Sequence, residues 1–226
     1  MQSEELLSRL RSLIESQPRE TELQAFLEEN PVLITALSSR IPEEEVIVSQ
    51  LPLGADYRVD FAFVTYGATE GTILHLVEIE RPGLQLFTNA DEFTAEANRA
   101  FQQLHDWSLW CDDQRQLLLR MLAPLLTRCS TYHFSLRCYL IAGRRSQVST
   151  SRRQNRLTMR ANLKRESFDF GTWDGFLEGA ERIRHRYSND QNDRFRCVVY
   201  KTQGLFEKDL GSKTNQQPNQ TPPADG

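Results

Sequence analysis

Three carboxylates stand out because of the residues between them. Leu74-His75-Leu76-Val77-Glu78-Ile79-Glu80-Arg81-Pro82 sets charged residues among aliphatic ones, and Val59-Asp60-Phe61 does the same earlier in the chain. On a strand, residues two apart share a face, so Glu78 and Glu80 point one way and Val77 and Ile79 the other. Two ionised carboxylates at the end of an apolar strand repel each other, and without a counter-charge one tends to hold a proton. A hard divalent cation removes that cost. Mg²⁺, or Mn²⁺, takes one or two carboxylates and keeps several waters. Asp60 on a partner strand supplies another oxygen. Such a site suits phosphodiester hydrolysis, because the metal polarises the phosphoryl oxygen, activates the attacking water and steadies the leaving oxygen. The expected roles are Asp60 and Glu78 as metal ligands, the Ile79 carbonyl as an optional third, and Glu80 as the group that orients or deprotonates the water. A solvated strand face gives the same bare pattern, so the weight rests on the apolar neighbours.

Two further residues attach to this set. Gln103 shares a helix face with Ala100 and Trp107 and is placed to bond a metal water or a phosphate. Glu22, on an earlier helix, is an accessory carboxylate candidate. Either would also suit a plain solvated helix face.

The elements that must position these side chains follow from periodicity. Leu6, Leu7, Leu10, Leu13 and Ile14 predict an amphipathic helix. A second helix spans about Glu20 to Glu29 and ends at Asn30-Pro31, since the residue before proline avoids helical geometry. Val32 to Leu37 predicts a short third helix. Val46-Ile47-Val48 is a short strand. Tyr57 to Val64 is another, with Val59, Phe61 and Phe63 on one face. Tyr66 to Gly71 is a turn, and Ile73 to Glu80 is the next strand, which places Asp60 and Glu78 on one hairpin. Thr94 to Trp110 and Gln114 to Leu126 are helices, and Phe134 to Gly143 is a buried strand. Trp173 to Ile183 is a helix and Phe195 to Tyr200 a last strand. The class is α/β or α+β with a central mixed sheet flanked by helices. The expected organisation is a helical segment 1–40 packed on the core, a core over 41–203, and a flexible polar tail over 204–226.

Composition sets the outer bounds. The chain has 226 residues, 39% apolar and 26% charged, which suits one soluble domain. No apolar run is long enough to cross a bilayer. The opening Met1-Gln2-Ser3-Glu4-Glu5 is acidic where a secretory leader is basic, so a cytoplasmic protein with no membrane partner is expected. Cys111, Cys129, Cys138 and Cys197 form no CxxC pair and are expected as small buried side chains.

The net charge is −4, yet its distribution is uneven. Met1 to Asp60 holds twelve acidic and five basic residues, while Arg144 to Arg165 holds eight basic residues and no acidic one. Arg144, Arg145, Arg152, Arg153 and Arg156, with Arg81 beside the carboxylates, are the candidate phosphate contacts. Ser146 to Ser151 is Ser/Thr-rich and is expected to be partly mobile.

Taken in order, Glu22-Leu23, Phe26 to Pro31, Val59-Asp60-Phe61, Leu76 to Pro82, Ala100, Gln103-Leu104 and Trp107 resemble the Shedu family of antiviral-defence nucleases. Tyr139 to Arg144 and Trp173 to Leu177 resemble its closing part. The resemblance covers about Glu20 to Arg184. It implies a restriction-endonuclease-like core of the PD-(D/E)XK superfamily and a metal-dependent DNA endonuclease or nickase acting against phage. It further implies DNA as partner and a homo-oligomer. It gives Asp60 and Glu78 the ligand positions and Gln103 the helix glutamine. The chain departs from the pattern where Glu80 stands in place of the usual lysine. The rival expectation is therefore a nuclease-fold module that binds DNA or a partner protein with little or no cutting. A weaker third reading is an oligomerisation scaffold built on the first helix.

Overall fold

A computed structural model describes residues 2–126, 134–161, 167–187 and 194–209. It opens with α1 (Gln2–Glu15) and α2 (Glu20–Glu29). Leu6, Leu7, Leu10 and Ile14 of α1 are all buried. Each contributes about 1.5–3 kcal/mol on burial, enough together to hold the helix on the core. α2 starts where the Arg19 backbone N–H donates to the Glu22 carboxylate at 2.7 Å. It stops at Asn30, and Pro31–Leu37 continues as a 3₁₀ turn instead of an α-helix, with proline at its first positions.

The antiparallel strands β1 (Val46–Leu53), β2 (Tyr57–Gly67) and β3 (Gly71–Ile79) follow. Helices α3 (Ala95–Asp113) and α4 (Arg115–Met121) lead to β4 (Phe134–Ile141), parallel to β3. Helix α5 (Ser151–Ala161) leads to β5 (Ser167–Gly171), parallel to β4. After α6 (Trp173–Arg182), β6 (Arg196–Lys201) lies parallel to β1, and β7 (Gly204–Glu207) pairs antiparallel with β6. The strand order is β5-β4-β3-β2-β1-β6-β7, a seven-stranded mixed sheet.

Both faces of the sheet are covered. Ala97, Ala100, Leu104 and Trp107 of α3, Leu118 of α4 and Leu157 of α5 pack on one side. Leu10 and Ile14 of α1, Leu23 and Leu27 of α2, and Trp173, Phe176 and Ala180 of α6 pack on the other. Every residue of β3 is buried, as a strand in the middle of such a sandwich requires. The architecture is the mixed sheet flanked by helices that the sequence predicts. Among the described residues, no helix is long and apolar enough to cross a membrane.

Several details differ from the sequence reading. The polar tail was expected from residue 204, but Gly204–Glu207 is a strand, because Leu205 and Phe206 extend the ladder beside Tyr200 and Val199. The rest of that tail, from residue 210, lies outside the described residues, as do Cys129 and the basic Lys164 and Arg165. In the stretch expected to be partly mobile, Gln147 is anchored. Its side chain donates to the Leu84 carbonyl at 2.9 Å and accepts from the Leu86 N–H at 2.7 Å. Cys111, Cys138 and Cys197 are buried.

The inside–outside alternation slips at the position that matters most. Phe61 and Phe63 face the α1/α2/α6 side, whereas Val59 joins Ala62 and Val64 on the α3 side. Val48 and Leu51 of β1 share the α3 side although they are three residues apart. Both slips meet at one cross-strand position, since Ser49 pairs with Phe61 and Leu51 with Val59, leaving Gln50 opposite Asp60. Gln50 has a φ of +53°, in the left-handed region that side chains other than glycine rarely occupy.

Candidate metal centre

The slip turns the Asp60 side chain onto the end of β3. Its Oδ2 accepts the Ile79 backbone N–H at 2.9 Å, and its Oδ1 accepts from Gln50 Nε2 at 3.2 Å. A carboxylate has replaced the backbone carbonyl that would otherwise close the ladder there. Asp60 is therefore fixed by two donors before any ligand arrives.

Glu78 lies beside it. Asp60 and Glu78 are 8% and 6% exposed, and their carboxyl groups share a hydrogen bond. Burial raises the pKa of both. Glu78 is pushed well above the carboxylate range, first by burial and then by the Asp60 charge and the bond to it. Glu78 is thus the member that keeps the proton, and Asp60 accepts from it. The second oxygen, Glu78 Oε2, is buried and has no hydrogen-bond partner among the described residues. Leaving a buried polar atom unpaired costs about 1–3 kcal/mol, so in a native protein it calls for an explanation such as a water, an ion or a catalytic role.

Glu80 follows β3 and is half-buried. Its backbone is held from both sides, with its N–H donating to the Ile141 carbonyl at 2.8 Å and its carbonyl accepting from Trp173 Nε1 at 2.6 Å. Burial, then repulsion from Glu20, Asp60 and Glu96, raises its carboxyl to about 7, with Arg81 pulling the other way.

Glu20 was not among the sequence candidates. It is the first residue of α2, its own pKa is raised by burial, and its charge raises Asp60, Glu78 and Glu80 alike. The charges of four carboxylates, the exposed Glu20 among them, therefore act on one another at the end of the sheet. The sequence did hold a signal. Glu20, Gln24 and Glu28 recur every fourth residue along α2, beside the buried Leu23 and Leu27. Gln24 Nε2 reaches the Asp60 carbonyl at 3.3 Å and Glu28 at 2.9 Å, and Glu28 also bonds Ser49 and Lys208. Glu22, the accessory candidate, instead caps its own helix. Gln50 was also missed, and its part depends on the strand slip, which no letter pattern showed.

Gln103 sits on α3 seven residues beyond Glu96, which is about 10 Å along the axis. It is half-buried, and among the described residues no hydrogen bond joins it to the carboxylates. The candidate phosphate contacts all carry carboxylate partners. Arg81 pairs with Glu96 at 3.1 Å, Arg144 with Asp174 at 2.7 Å, and Arg145 with Glu178 at 2.6 Å. Arg152 and Arg153 lie 4.0 and 2.6 Å from Asp91, and Arg156 lies 2.6 Å from Glu92.

A family model described as Shedu protein SduA, C-terminal, matches residues 17–177. The chain belongs to the Shedu family. No curated protein matches it closely enough to count as a relative. The matched span contains Glu20, Gln50, Asp60, Glu78, Glu80 and Trp173, and it leaves out all of α1, β6 and β7. Shedu proteins act in anti-phage defence, and this chain is one of that group.

The donor set fits a hard divalent cation. Among the described residues no three His, Cys, Asp or Glu side chains already form a ready-made cage. Two buried carboxylate ligands with the remaining positions left to water is the arrangement Mg²⁺ favours, whereas a closed all-protein cage is not. The pair has the oxygen chemistry, an unpartnered Oε2, and a charge problem that a cation relieves.

Proposed function

We propose that this Shedu chain is a metal-dependent DNA nuclease, with Mg²⁺ or Mn²⁺ held by Asp60 and Glu78 and the Ile79 carbonyl as a third donor. The observation that carries this reading is Glu78 Oε2, buried and unpartnered beside the Asp60 carboxylate. When bound, the metal supplies Lewis acidity at the phosphoryl group and lowers the pKa of a coordinated water. Gln50 and the Ile79 N–H hold Asp60 in the rotamer that aims at this point. Glu80, half-buried just past β3, stands on a backbone clamped by Trp173 and Ile141, where its carboxylate would take a proton from the attacking water. Glu20 adds charge from across the site and strengthens its demand for cations. Duplex DNA is the proposed substrate, and a homo-oligomer in the cytoplasm is the proposed form.

Purified protein is expected to cut or nick DNA with Mg²⁺ or Mn²⁺ and to stop in EDTA. Glu78→Ala is expected to abolish cutting while its circular dichroism stays native. Equal cutting by that variant would remove Glu78 from the mechanism. A second reading is a nuclease-fold module that binds DNA without cutting it. It is favoured by Glu80 at the lysine position, because Arg81, the cation acting on Glu80, is already paired with Glu96. Salt-sensitive DNA binding with no metal-dependent products would select it.

A further inference from the structure

The residues after Glu80 form a strap over the α3 side of the sheet, running from Pro82 to α3. Leu84 and Leu86 are tied down by Gln147, and a Cβ on Gly143 would meet Leu86 Cδ1 at 2.9 Å. Beyond Leu86 the strap makes a small hairpin. Phe87 and Phe93 pair and stack at 4.8 Å, the Thr88 N–H donates to the Glu92 carbonyl at 2.8 Å, and the Asp91 N–H donates to the Thr88 carbonyl at 3.0 Å. The tip of that hairpin presents two adjacent carboxylates, Asp91 and Glu92.

Those carboxylates sit on the basic face of α5. Arg153 Nε donates to Asp91 at 2.6 Å, with its guanidinium also over the Phe87 ring. Arg156 grips Glu92 with two parallel bonds of 2.6 and 2.7 Å, and Arg152 approaches Asp91 at 4.0 Å. A fork-to-fork arginine bond of this kind suits a phosphodiester as well as a carboxylate, since both offer two oxygens and one negative charge. Arg153 and Arg156 are neighbours on one helix face, like two successive contacts along a backbone. Exposed ion pairs add little to stability, and Glu92 is largely exposed, so the Arg156–Glu92 pair exchanges readily for a better anion. The half-buried Arg153–Asp91 pair, whose arginine also donates to the Gln147 carbonyl at 3.1 Å, follows it. The pairing of Arg144 with Asp174 is different. There Asp174 also accepts the Arg145 backbone N–H at 2.7 Å and ties the end of β4 to the start of α6.

We infer that Asp91 and Glu92 are resident stand-ins for phosphate, masking a duplex-DNA contact surface on α5 that the nucleic-acid backbone uncovers by displacing them. The inference rests on the proposed DNA partner and goes beyond it by naming which arginines are exchangeable and what holds them. The hairpin keeps its own Phe87–Phe93 stack and backbone bonds, so it does not depend on the arginines for its shape. The Glu80 backbone is clamped by Ile141 and Trp173, so unmasking changes binding and leaves the carboxylate site in place.

The test measures binding of labelled duplex DNA by full-length protein in EDTA, across a range of salt concentrations. Asp91→Asn/Glu92→Gln is expected to tighten binding by about tenfold at physiological salt and to steepen the log K against log salt slope by up to about two. Adding Arg153→Gln/Arg156→Gln to that variant is expected to abolish the gain. Glu4→Gln/Glu5→Gln on α1 makes the same change in net charge at an unrelated exposed place, and is expected to leave affinity within about twofold. Unchanged affinity in Asp91→Asn/Glu92→Gln, or an equal gain in the α1 control, overturns the mask. If Asp91→Asn/Glu92→Gln melts early, Glu92→Gln alone is used, since among the described residues the Glu92 side chain pairs only with Arg156. If neither the native chain nor any variant binds DNA at low salt, the DNA reading fails, an outcome distinct from a native chain that binds with no response to unmasking.

Discussion

Glu78→Gln is expected to make the metal-free protein no less stable and to remove its response to divalent cations. In the native chain Glu78 is buried against Asp60, its pKa is raised by that burial and by the Asp60 charge, and Oε2 has no partner. Glutamine keeps the volume, and its N–H donates to Asp60 where the shared proton did. It carries no charge, so the repulsion that grows as pH rises is gone. At pH 8 the variant should melt at or above the native chain in EDTA. With cation the order reverses. A ligand at a hundred times its dissociation constant adds about 2.7 kcal/mol. For a chain of this size each kcal/mol moves Tm by about 2–4 °C, so the native protein should gain about 5–10 °C and the variant under about 2 °C. Melting curves in EDTA, MgCl₂ and MnCl₂ read this directly. Equal metal shifts in both proteins would place the cation elsewhere, and a variant well below the native chain in EDTA would mean that the Glu78 carboxylate is a structural support.

Two other outcomes follow from named contacts. His75 is buried between Thr65 and Tyr139, bonded at 2.8 and 3.0 Å and stacked on Phe63, and burial with Arg137 and Arg40 nearby lowers its pKa from 6.5 to about 3. The unfolded chain takes up this proton before the folded one, so the stability from neutral His75 is complete above pH 6.5 and is lost as pH falls towards 3. At pH 5 the loss is about 2 kcal/mol, and the stability gap between the native chain and His75→Gln should narrow by that amount between pH 7 and pH 5 in urea titrations. A constant gap would refute a buried neutral histidine. Glu20→Gln should shrink the cation-induced rise in Tm while Glu22→Gln leaves it intact and costs about 0.5–1 kcal/mol of stability at the helix start. The reverse pattern would restore Glu22 as the site carboxylate.

How much was legible in the sequence depended on whether one strand or several elements set the outcome. β3 reads straight from its letters because a central strand buried on both faces must be apolar, and only its last residues can carry charge. The β2–β3 hairpin follows from the turn at Tyr66 to Gly71, so the meeting of Asp60 and Glu78 was readable too. β5 and α5 were not. Ser167–Gly171 is short and lies in a polar neighbourhood. α5 reads as a basic loop, since among the described residues its buried apolar contribution to the core is Leu157 and it is held by Asp91, Glu92 and Phe101, all distant in sequence. Gln50 was hidden for a different reason. It reaches Asp60 only because β1 and β2 slip together, and such a slip is a property of the pair, which neither strand shows alone.

The same logic bears on Glu80. A lysine there would bring one positive charge to the carboxylate pair from within the fold. With glutamate in its place, the charges of Glu20 and Asp60 add to that of Glu80 beside Glu78, and Arg81, the cation that offsets them, is shared with Glu96. Under the proposed reading, the missing positive charge has to come from solution. The site then leans more heavily on dissolved divalent cation than a lysine-bearing site does. Glu80→Lys separates these cases. If the cation substitutes for the lysine, this change should lower the Mg²⁺ concentration needed for half-maximal cutting, and should stabilise the metal-free chain at pH 8 by relieving the repulsion around Glu80. If Glu80 is the base that takes the proton from water, cutting should fall even at saturating Mg²⁺ while the metal-free stabilisation persists. Lost cutting together with lost stability would contradict both, because it would mean that the half-buried Glu80 carboxylate is held for packing alone.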